Sequence, residues 1–290
     1  MGYRIHPPAP KIRGKRVVSD MVPNTPYTVI ASNRPDLCSK RLASKAVGSL
    51  LKCLNPVIFC HERDAPAFRI ALRRHGMELP VFTHCICSTD GSVPFGALRH
   101  ASMELARKHM TCTNFGLLLD DDLLAIRFAT SRRADGTWQF LKMSAELFMM
   151  EVQRLVSITA ESGKPYFTGS FNADKKSGYD SEHPVRTGNG TWNGILGFFK
   201  NSPNPFDKEF SQGADGEAQC RIRTILGDDA VMKHWGLVFA FAIDSAAYAK
   251  GGARDRVKNL EEIVRRYPTK ARIINQVKGN KVPILKHIYV

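Results

Sequence analysis

Residues 115–124 read Phe-Gly-Leu-Leu-Leu-Asp-Asp-Asp-Leu-Leu, so that three carboxylates, Asp120, Asp121 and Asp122, interrupt an apolar stretch. An apolar run this short is typical of a buried strand. Carboxylates at the C-terminal end of such a strand stand where open α/β sheets place their ligands. Because adjacent anions repel one another, we expect a divalent cation to hold them, and carboxylate oxygens suit Mg²⁺ or Mn²⁺. The alternative is a solvated acidic turn after a strand.

Strand and helix signals alternate upstream of this acidic triplet, Asp120 to Asp122. Apolar runs and turn residues predict strands at 27–31, 57–59 and 79–86, and helices at 36–51, 67–75 and 94–110. With the strand at 115–119, the order is βαβαβαβ. This order predicts an α/β fold with a mostly parallel sheet flanked by helices.

The second half of the chain is less regular. It is predicted to contain a helix at 145–161, a loop-rich region at 170–197, strands at 194–199 and 237–243, and a short basic helix at 260–267. The abundance of Gly, Asn and Ser in the loop-rich region gives few motifs. The second half therefore says less about chemistry than the first.

Composition is compatible with a soluble enzyme. The 290 residues are 43% hydrophobic, which is ample for a core. No apolar stretch is long enough to span a bilayer and the Pro-rich, basic N-terminus does not resemble a secretory signal, so we expect a cytoplasmic protein. The seven cysteines lack a Cys-x-x-Cys pair and are expected to be reduced core residues. A zinc site at Cys60-His61 and His84-Cys85-x-Cys87 lacks the usual spacings.

The formal charge of +15 is concentrated at the two ends of the chain. Residues 250–290 carry eleven Lys or Arg and three acidic residues, a net charge of +8, and a second basic cluster occupies 11–16. Such stretches attract polyanions, and neutralised phosphates release counterions, so DNA or RNA is an expected partner. A generally basic protein, or a surface that attracts anionic lipids, would show the same charge.

Several short motifs occur in a characteristic order. They are Ser32-Asn33-Arg34-Pro35 after the first strand, an acidic position after the second strand, Gly96-Ala97-Leu98-Arg99-His100-Ala101 in the third helix, and the acidic triplet. Together they resemble GT-A-fold nucleotide-sugar glycosyltransferases over residues 27–130, with a weaker match at Gly227-Asp228-Asp229. With the basic charge, the pattern is similar in particular to phage-encoded TET-associated glycosyltransferases, which sugar-modify hydroxymethylated pyrimidines in DNA.

The resemblance implies a GT-A-like, Rossmann-type sheet and a donor site for a nucleoside diphosphate sugar such as a UDP-sugar. It assigns residues 27–130 to the nucleotide-sugar-binding half, 131–249 to the acceptor and catalytic half of the same domain, 250–290 to a basic C-terminal segment and 1–26 to a basic Pro-rich arm. The implied donor-side residues are Ser32, Asn33 and Arg34 against the nucleotide, Glu62 and Asp64 near the base or ribose, Arg99 at the diphosphate, and Asp120.

The resemblance also implies the reacting groups. Asp120 and Asp122 match the outer residues of an Asp-x-Asp motif, with Asp122 favoured as the direct ligand of Mn²⁺ or Mg²⁺. This metal would stabilise the leaving diphosphate. Asp228 or Asp229 matches the general base of inverting members. The alternative for this pair is N-capping of a following helix that contains Val231, and a retaining route stays open.

An acceptor base in DNA would have to be flipped into a pocket or presented in a single strand. In the Gly-rich region, Trp192 is expected to stack on the acceptor, with His183 nearby. The leading prediction is thus metal-dependent sugar transfer to a hydroxymethylated pyrimidine in DNA. A GT-A enzyme acting on polysaccharide, lipid or protein, and a non-catalytic nucleic-acid-binding protein, are the alternatives.

Overall fold

The computed structural model describes residues 25–88, 93–132, 134, 138–171, 184–187, 195–210, 214–241, 253–274 and 284–287. Its strands are β1 Tyr27–Ala31, β2 Val57–His61, β3 Val81–His84, β4 Phe115–Asp120, β5 Leu123–Arg132, β6 Trp138–Lys142, β7 Tyr166–Phe171, β8 Val185–Thr187, β9 Ile195–Phe199, β10 Val231–Phe241, β11 Ala271–Ile274 and β12 Ile284–His287. Its helices are α1 Pro35–Leu42, α2 Lys45–Leu54, α3 Ala65–Arg74, α4 Phe95–His109, α5 Ala145–Glu161, α6 Ala214–Leu226 and α7 Ala253–Arg266.

A ten-stranded sheet organises the described residues, in the order β3-β2-β1-β4-β9-β7-β10-β5-β6, with β8 paired to β10. The first four strands in this order are parallel, and their registers align Ala31 with Phe59 and with Asp120. Antiparallel β9 then joins β4 to β7, and β10 runs parallel to β7. The predicted α/β class, with a sheet flanked by helices, is confirmed.

The apolar run of β4 is buried on both faces of the sheet. Leu117 and Leu119 pack into a core that includes α2, α3 and α5, whereas Leu118 packs into a second core with α4 and α6. Alternating side chains of a strand point to opposite faces, so a strand covered on both faces must be apolar throughout. This arrangement confirms the prediction of a buried strand ahead of the acidic triplet.

Several predicted elements differ from the structure. The helix expected at 36–51 is two helices, α1 and α2, separated at Ala43 and Ser44. The strand expected at 57–59 continues to His61. The hairpin formed by β5 and β6 was not predicted, because its ten-residue first strand begins directly after the acidic triplet. The loop-rich region contains β8 and parts of β7 and β9.

The prediction of a helix at Val231 is wrong, because this residue begins strand β10. This strand pairs with β7 on one side and with β8 and β5 on the other. The N-capping alternative for Asp228 and Asp229 therefore falls, since the element that follows them is a strand. Within the described part of the chain, every helix is too short or too polar to cross a bilayer.

Candidate functional site

The carboxyl ends of the four parallel strands form one edge of the sheet. Ala31, His61, His84 and Asp120 end β1, β2, β3 and β4, and the registers place these ends side by side. The acidic triplet lies in the tight connection from β4 to β5 at this edge. Ligands of α/β proteins bind outside the carboxyl ends of the strands, so this edge is the candidate site.

Asp121, the middle residue of the triplet, accepts hydrogen bonds from two residues of the turn after β1. Ser32 Oγ donates a hydrogen bond to Asp121 Oδ2, and Arg34 grips both carboxylate oxygens, with Nε 3.0 Å from Oδ2. Bidentate guanidinium pairs of this kind are the strong, geometrically fixed ones. Asp121 therefore connects the triplet to the turn after β1, and both of its carboxylate oxygens already accept hydrogen bonds.

Asp120 is held by Arg99 of α4. The guanidinium of Arg99 is only 3% exposed, forms an ion pair with Asp120, and lies 3.8 Å through Nε from Asp215 Oδ1. We predicted that Arg99 faces a diphosphate, and the structure turns it instead toward two carboxylates. Arg99 thereby joins the end of β4 to the first turn of α6, where Asp215 lies.

Asp122 differs from its two neighbours. Its Oδ1 is buried and has no hydrogen-bond partner among the described residues. Burial, reinforced by the charges of Asp120 and Asp121, raises the pKa of Asp122 to about 7. A buried carboxylate oxygen without a partner is costly, of order 1–3 kcal/mol, and such groups in folded proteins mark unfilled ligand positions or strained sites.

The donor set at this edge fits a hard divalent cation. Two arginines, Arg34 and Arg99, face four carboxylates, Asp120, Asp121, Asp122 and Asp215, and this leaves an excess of negative charge. The described residues do not bring three or more His, Cys, Asp or Glu side chains into a closed metal-binding cluster. Mg²⁺ typically uses one or two protein carboxylates together with substrate phosphates, so an open site of this kind suits it.

The remaining predicted donor-side residues lie along the same edge. Asn33 Oδ1 accepts a hydrogen bond from the backbone N–H of His61, 3.0 Å away, and so joins the turn after β1 to the end of β2. Glu62 and Asp64 form a single 3₁₀ turn after β2, with Glu62 exposed and Asp64 3.7 Å from Arg63. The structure thus gathers the predicted donor-side residues at one edge, but it gives Ser32 and Asn33 partners within the protein.

Asp215 is a candidate site residue that was not predicted from the sequence. It lies in the first turn of α6, and a fifth of its side chain (21%) is exposed beside Arg99. Burial raises its pKa to about 6, with the charge of Asp120 acting in the same direction and Arg99 opposing it. Acidic residues are common in the first turn of any helix, so the sequence carried no signal that set Asp215 apart.

His84 is a second residue at this edge that carries an unsatisfied group. Its ring is completely buried against Phe59, with centroids 4.9 Å apart, and Nδ1 accepts a hydrogen bond from the Ile86 N–H. This bond places the ring proton on Nε2, which has no partner among the described residues. Burial lowers the pKa of His84 to about 3, so the ring is neutral at neutral pH.

The structure places Asp228 and Asp229, the predicted general-base pair, away from the acidic triplet. The registers align Val231, which follows this pair, with Tyr166, and through β9 with the start of β4 at Gly116. Gly116 is four residues before Asp120, or about 13 Å along a strand. The pair therefore lies at the opposite edge of the sheet, where Lys270 Nζ is 2.9 Å from Asp228 and Lys164 pairs with Asp229.

Two predicted acceptor-side residues, Trp192 and His183, lie outside the described residues, as does most of the basic arm at 1–26. The basic C-terminal segment is partly described. There, Arg266 pairs with Asp207 at 2.8 Å and Lys270 with Asp228, so these charges are used within the protein. This lowers the positive charge that the segment can offer to a polyanion.

Comparison with known proteins gave no match to a family model and no match among curated proteins. Solved structures that align with the chain include glucosyl-3-phosphoglycerate synthase from Mycobacterium tuberculosis in complex with Mn²⁺, uridine diphosphate and phosphoglyceric acid. That alignment has 11% identity and a TM-score of 0.47, and covers 92% of this chain and 88% of that chain. The same synthase with Mg²⁺ and uridine diphosphate aligns at 10% identity and a TM-score of 0.44, with the same coverage.

A mycobacterial protein aligns at 11% identity and a TM-score of 0.47, covering 91% of this chain and 83% of that chain. Likenesses at this level carry no statement about activity.

Proposed function

We propose that the protein is a metal-dependent glycosyltransferase that takes a sugar from a nucleoside diphosphate sugar, such as a UDP-sugar. The proposal rests on a difference in pairing among the three carboxylates of the acidic triplet. Asp120 and Asp121 are neutralised by Arg99 and Arg34, whereas Asp122 keeps a buried oxygen without a partner among the described residues. A carboxylate kept unpaired beside two others is what a cation-binding corner requires.

Asp122, with Asp120 next to it, would hold the Mn²⁺ or Mg²⁺. When bound, the metal supplies positive charge that stabilises the departing diphosphate. Arg34 contributes from the protein itself, because its side chain is 42% exposed and its guanidinium keeps N–H donors that a phosphate can reach. The arginine that fixes the triplet is thus also the arginine open to the donor.

Asp215 takes the role of general base in this proposal. The acceptor hydroxyl gives its proton to the Asp215 carboxylate while its oxygen bonds to the anomeric carbon. The bond from that carbon to the phosphate oxygen breaks, and the nucleoside diphosphate leaves with the electron pair. A carboxylate with a pKa raised to about 6 is well matched to this task near neutral pH. A single displacement of this kind inverts the anomeric configuration.

For the acceptor, we propose the hydroxyl of a hydroxymethylated pyrimidine in DNA. The support is the resemblance described above together with the charge of +15. Within the described residues, four cations on α1 and α3 form no ion pair and are open to a phosphate backbone: Lys40, Arg69, Arg73 and Arg74. Contacts to phosphates would make binding strongly salt-dependent.

A saccharide, lipid or protein acceptor is the second possibility for the same chemistry. It is favoured by the internal ion pairs of Arg266 and Lys270, which remove two charges from the basic C-terminal segment. The two acceptor classes differ in one measurable respect. Only the DNA acceptor predicts that transfer depends on hydroxymethylated DNA.

The direct test combines the protein, Mn²⁺, a panel of UDP-sugars and DNA that contains hydroxymethylcytosine, followed by digestion and mass measurement of the nucleosides. A mass gain of one sugar on the modified base supports both parts of the proposal. Hydrolysis of the donor without a mass gain on DNA supports the transferase and refutes the DNA acceptor. If neither product forms with any donor, the transferase proposal is wrong.

A binding measurement separates the metal site from the chemistry. The thermal midpoint of the wild-type protein should rise with Mn²⁺ plus UDP, because a ligand that binds only the folded state stabilises it. Asp122→Asn should lose this rise, while Asp228→Asn should keep it. A non-catalytic nucleic-acid-binding protein would instead show salt-sensitive DNA binding and no response to UDP and Mn²⁺.

A further inference from the structure

Helix α7 of the C-terminal segment packs against the elements that carry Arg99 and Asp215. A separate apolar cluster holds this contact together. Its buried members are Phe210, Ala214, Cys220, Leu260, Ile263 and Ala271. Phe95, the first residue of α4, and Tyr267, which directly follows α7, pack against the same cluster. The cluster therefore joins the C-terminal segment to the first turns of α4 and α6.

Polar contacts also connect the end of α7 to α6. Arg266 Nη1 lies 2.8 Å from Asp207 Oδ2, and the same oxygen lies 3.0 Å from Arg221 Nη2 on α6. Tyr267 donates a hydrogen bond of 2.8 Å to Oε1 of the fully buried Glu217, to which Arg221 Nε also donates at 3.1 Å. Arg266, the last residue of α7, and Tyr267, which follows it, are thus connected to the face of α6 that begins at Glu217, two residues after Asp215.

A second route leads from the end of α7 to Arg99. The guanidinium of Arg266 lies over the Phe210 ring, 5.0 Å from its centroid, and the Phe210 carbonyl accepts a 2.7 Å hydrogen bond from the Gly96 N–H. A Cβ at Gly96 would collide with the Asp207 carbonyl, so the backbone at Asp207 lies directly against the first turn of α4. The neighbouring Phe95 ring supports the guanidinium of Arg99, 4.8 Å from the ring centroid.

We propose that Arg266 is a positioning residue for the candidate site. It acts on α6 through its ion pair with Asp207, and on the start of α4 through its contact with the Phe210 ring. It sets the relative placement of Arg99 and Asp215, which approach each other at 3.8 Å. Its effect on turnover rests on the proposed function, whereas its effect on α6 and α4 does not. The C-terminal segment is then a structural part of the site and not only a basic tail.

The neighbouring arginine provides a matched control. Arg265 and Arg266 both pair with Glu262 at 2.7 Å. The side chain of Arg265 is 72% exposed, whereas that of Arg266 is 30% exposed and also reaches Asp207 and the Phe210 ring. Replacing either residue by alanine removes one charge from the same turn of α7. Only the replacement of Arg266 removes the contacts that lead to the site.

Hydrogen exchange followed by mass spectrometry tests the coupling without any substrate. In Arg266→Ala, amides of α6 and of the first turn of α4 should exchange at least several-fold faster, while those of α3 and α5 stay unchanged. Arg265→Ala should match the wild type throughout. Equal exchange in wild type and Arg266→Ala, or the same acceleration in both variants, would refute the proposal. Should Arg266→Ala fail to fold, Arg266→Lys and Asp207→Asn replace it in the same comparison.

Steady-state kinetics give the second measurement. Arg266→Ala should lower kcat on the order of tenfold to a hundredfold, since small misplacements of reacting groups are costly. The KM for the donor should change little, and Arg266→Lys should recover part of kcat. An unchanged kcat would overturn the effect on the site even if exchange is faster. If wild type transfers no sugar from any donor, the proposed function fails, and hydrogen exchange alone decides the coupling.

Discussion

The two edges of the central sheet both carry adjacent aspartates that form ion pairs, but among the described residues only the edge at the carboxyl ends of the parallel strands also holds an aspartate oxygen that is buried without a partner. At the carboxyl ends of the parallel strands, Asp122 Oδ1 and His84 Nε2 are buried without partners among the described residues. At the other edge, Asp228 forms an ion pair with Lys270, and Asp229 forms one with Lys164. At these carboxyl ends, burial raises the pKa of Asp122 and lowers the pKa of His84.

This contrast shows that a run of carboxylates does not by itself define a site. A lysine partner at the surface satisfies an aspartate and contributes little stability, typically under about 1 kcal/mol. A buried group without a partner lowers stability, and folded proteins contain few of them. The unpaired oxygen of Asp122, next to two carboxylates that are paired with arginines, therefore distinguishes this corner from an ordinary acidic turn better than the acidic sequence does.

The largest effect is expected from removing the unpaired charge. Asp122→Asn should lower sugar transfer by at least about 10³-fold, equivalent to about 4 kcal/mol, because the metal loses its favoured ligand. Initial rates with saturating donor measure the change. Without metal, the thermal midpoint should stay the same or rise, since an amide is cheaper to bury than an unpaired carboxylate. A variant that keeps wild-type rates would remove the distinction between the two edges.

The next largest effect concerns the group proposed to take the proton. Asp215→Asn should lower kcat about 10²-fold, because an amide cannot act as general base. The KM for the donor and the thermal rise with Mn²⁺ plus UDP should remain. Thr224→Ala, which removes a hydrogen bond to the Cys220 carbonyl nine residues further along the same helix, is the control for general damage to α6. If both variants lose activity equally, Asp215 has no special role.

The buried histidine predicts an acid-sensitive fold. Because the pKa of His84 is lowered to about 3 from an ordinary value near 6.5, the unfolded chain binds a proton that the folded protein does not. Stability should therefore fall as the pH drops below about 6.5, by about 2 kcal/mol at pH 5 from this group. Urea unfolding at pH 7 and pH 5 measures it.

His84→Asn should lose about 2 kcal/mol less stability than wild type between these two pH values, since it keeps an acceptor for the Ile86 N–H but cannot titrate. Phe59→Leu is the control, because it loosens the packing on His84 and leaves the ring in place. It should lower stability at both pH values by a similar amount. Identical pH dependence in wild type and His84→Asn would contradict the prediction.

The smallest effect is expected at the opposite edge. Asp228→Asn should leave the rate of transfer within about twofold and lower the free energy of unfolding by no more than about 1 kcal/mol, because the pair with Lys270 is partly exposed. Rate assays and urea unfolding of the same preparation measure both. A loss of transfer as large as that of Asp122→Asn would restore Asp228 as a reacting group.

Elements with a strong local sequence pattern were predicted closely, whereas elements whose pattern is interrupted were not. The strand at Phe115–Asp120 and the helix at Ala145–Glu161 were predicted closely, because their apolar patterns are strong and uninterrupted. Strand β10 was partly misread as a helix. It contains Lys233 and His234, both completely buried, and these polar residues obscure the apolar pattern that a buried strand normally shows.

The sequence by itself determined that a buried strand ends in three carboxylates at a ligand-binding edge, because an apolar run and its polar end are local features. Only the tertiary structure decided which carboxylate stays unpaired. Arg34 is 87 positions from Asp121 in the chain, and Asp215 approaches Arg99 only through the packing of α6. Ion pairing depends on distances in space, which spacing along the chain does not reveal.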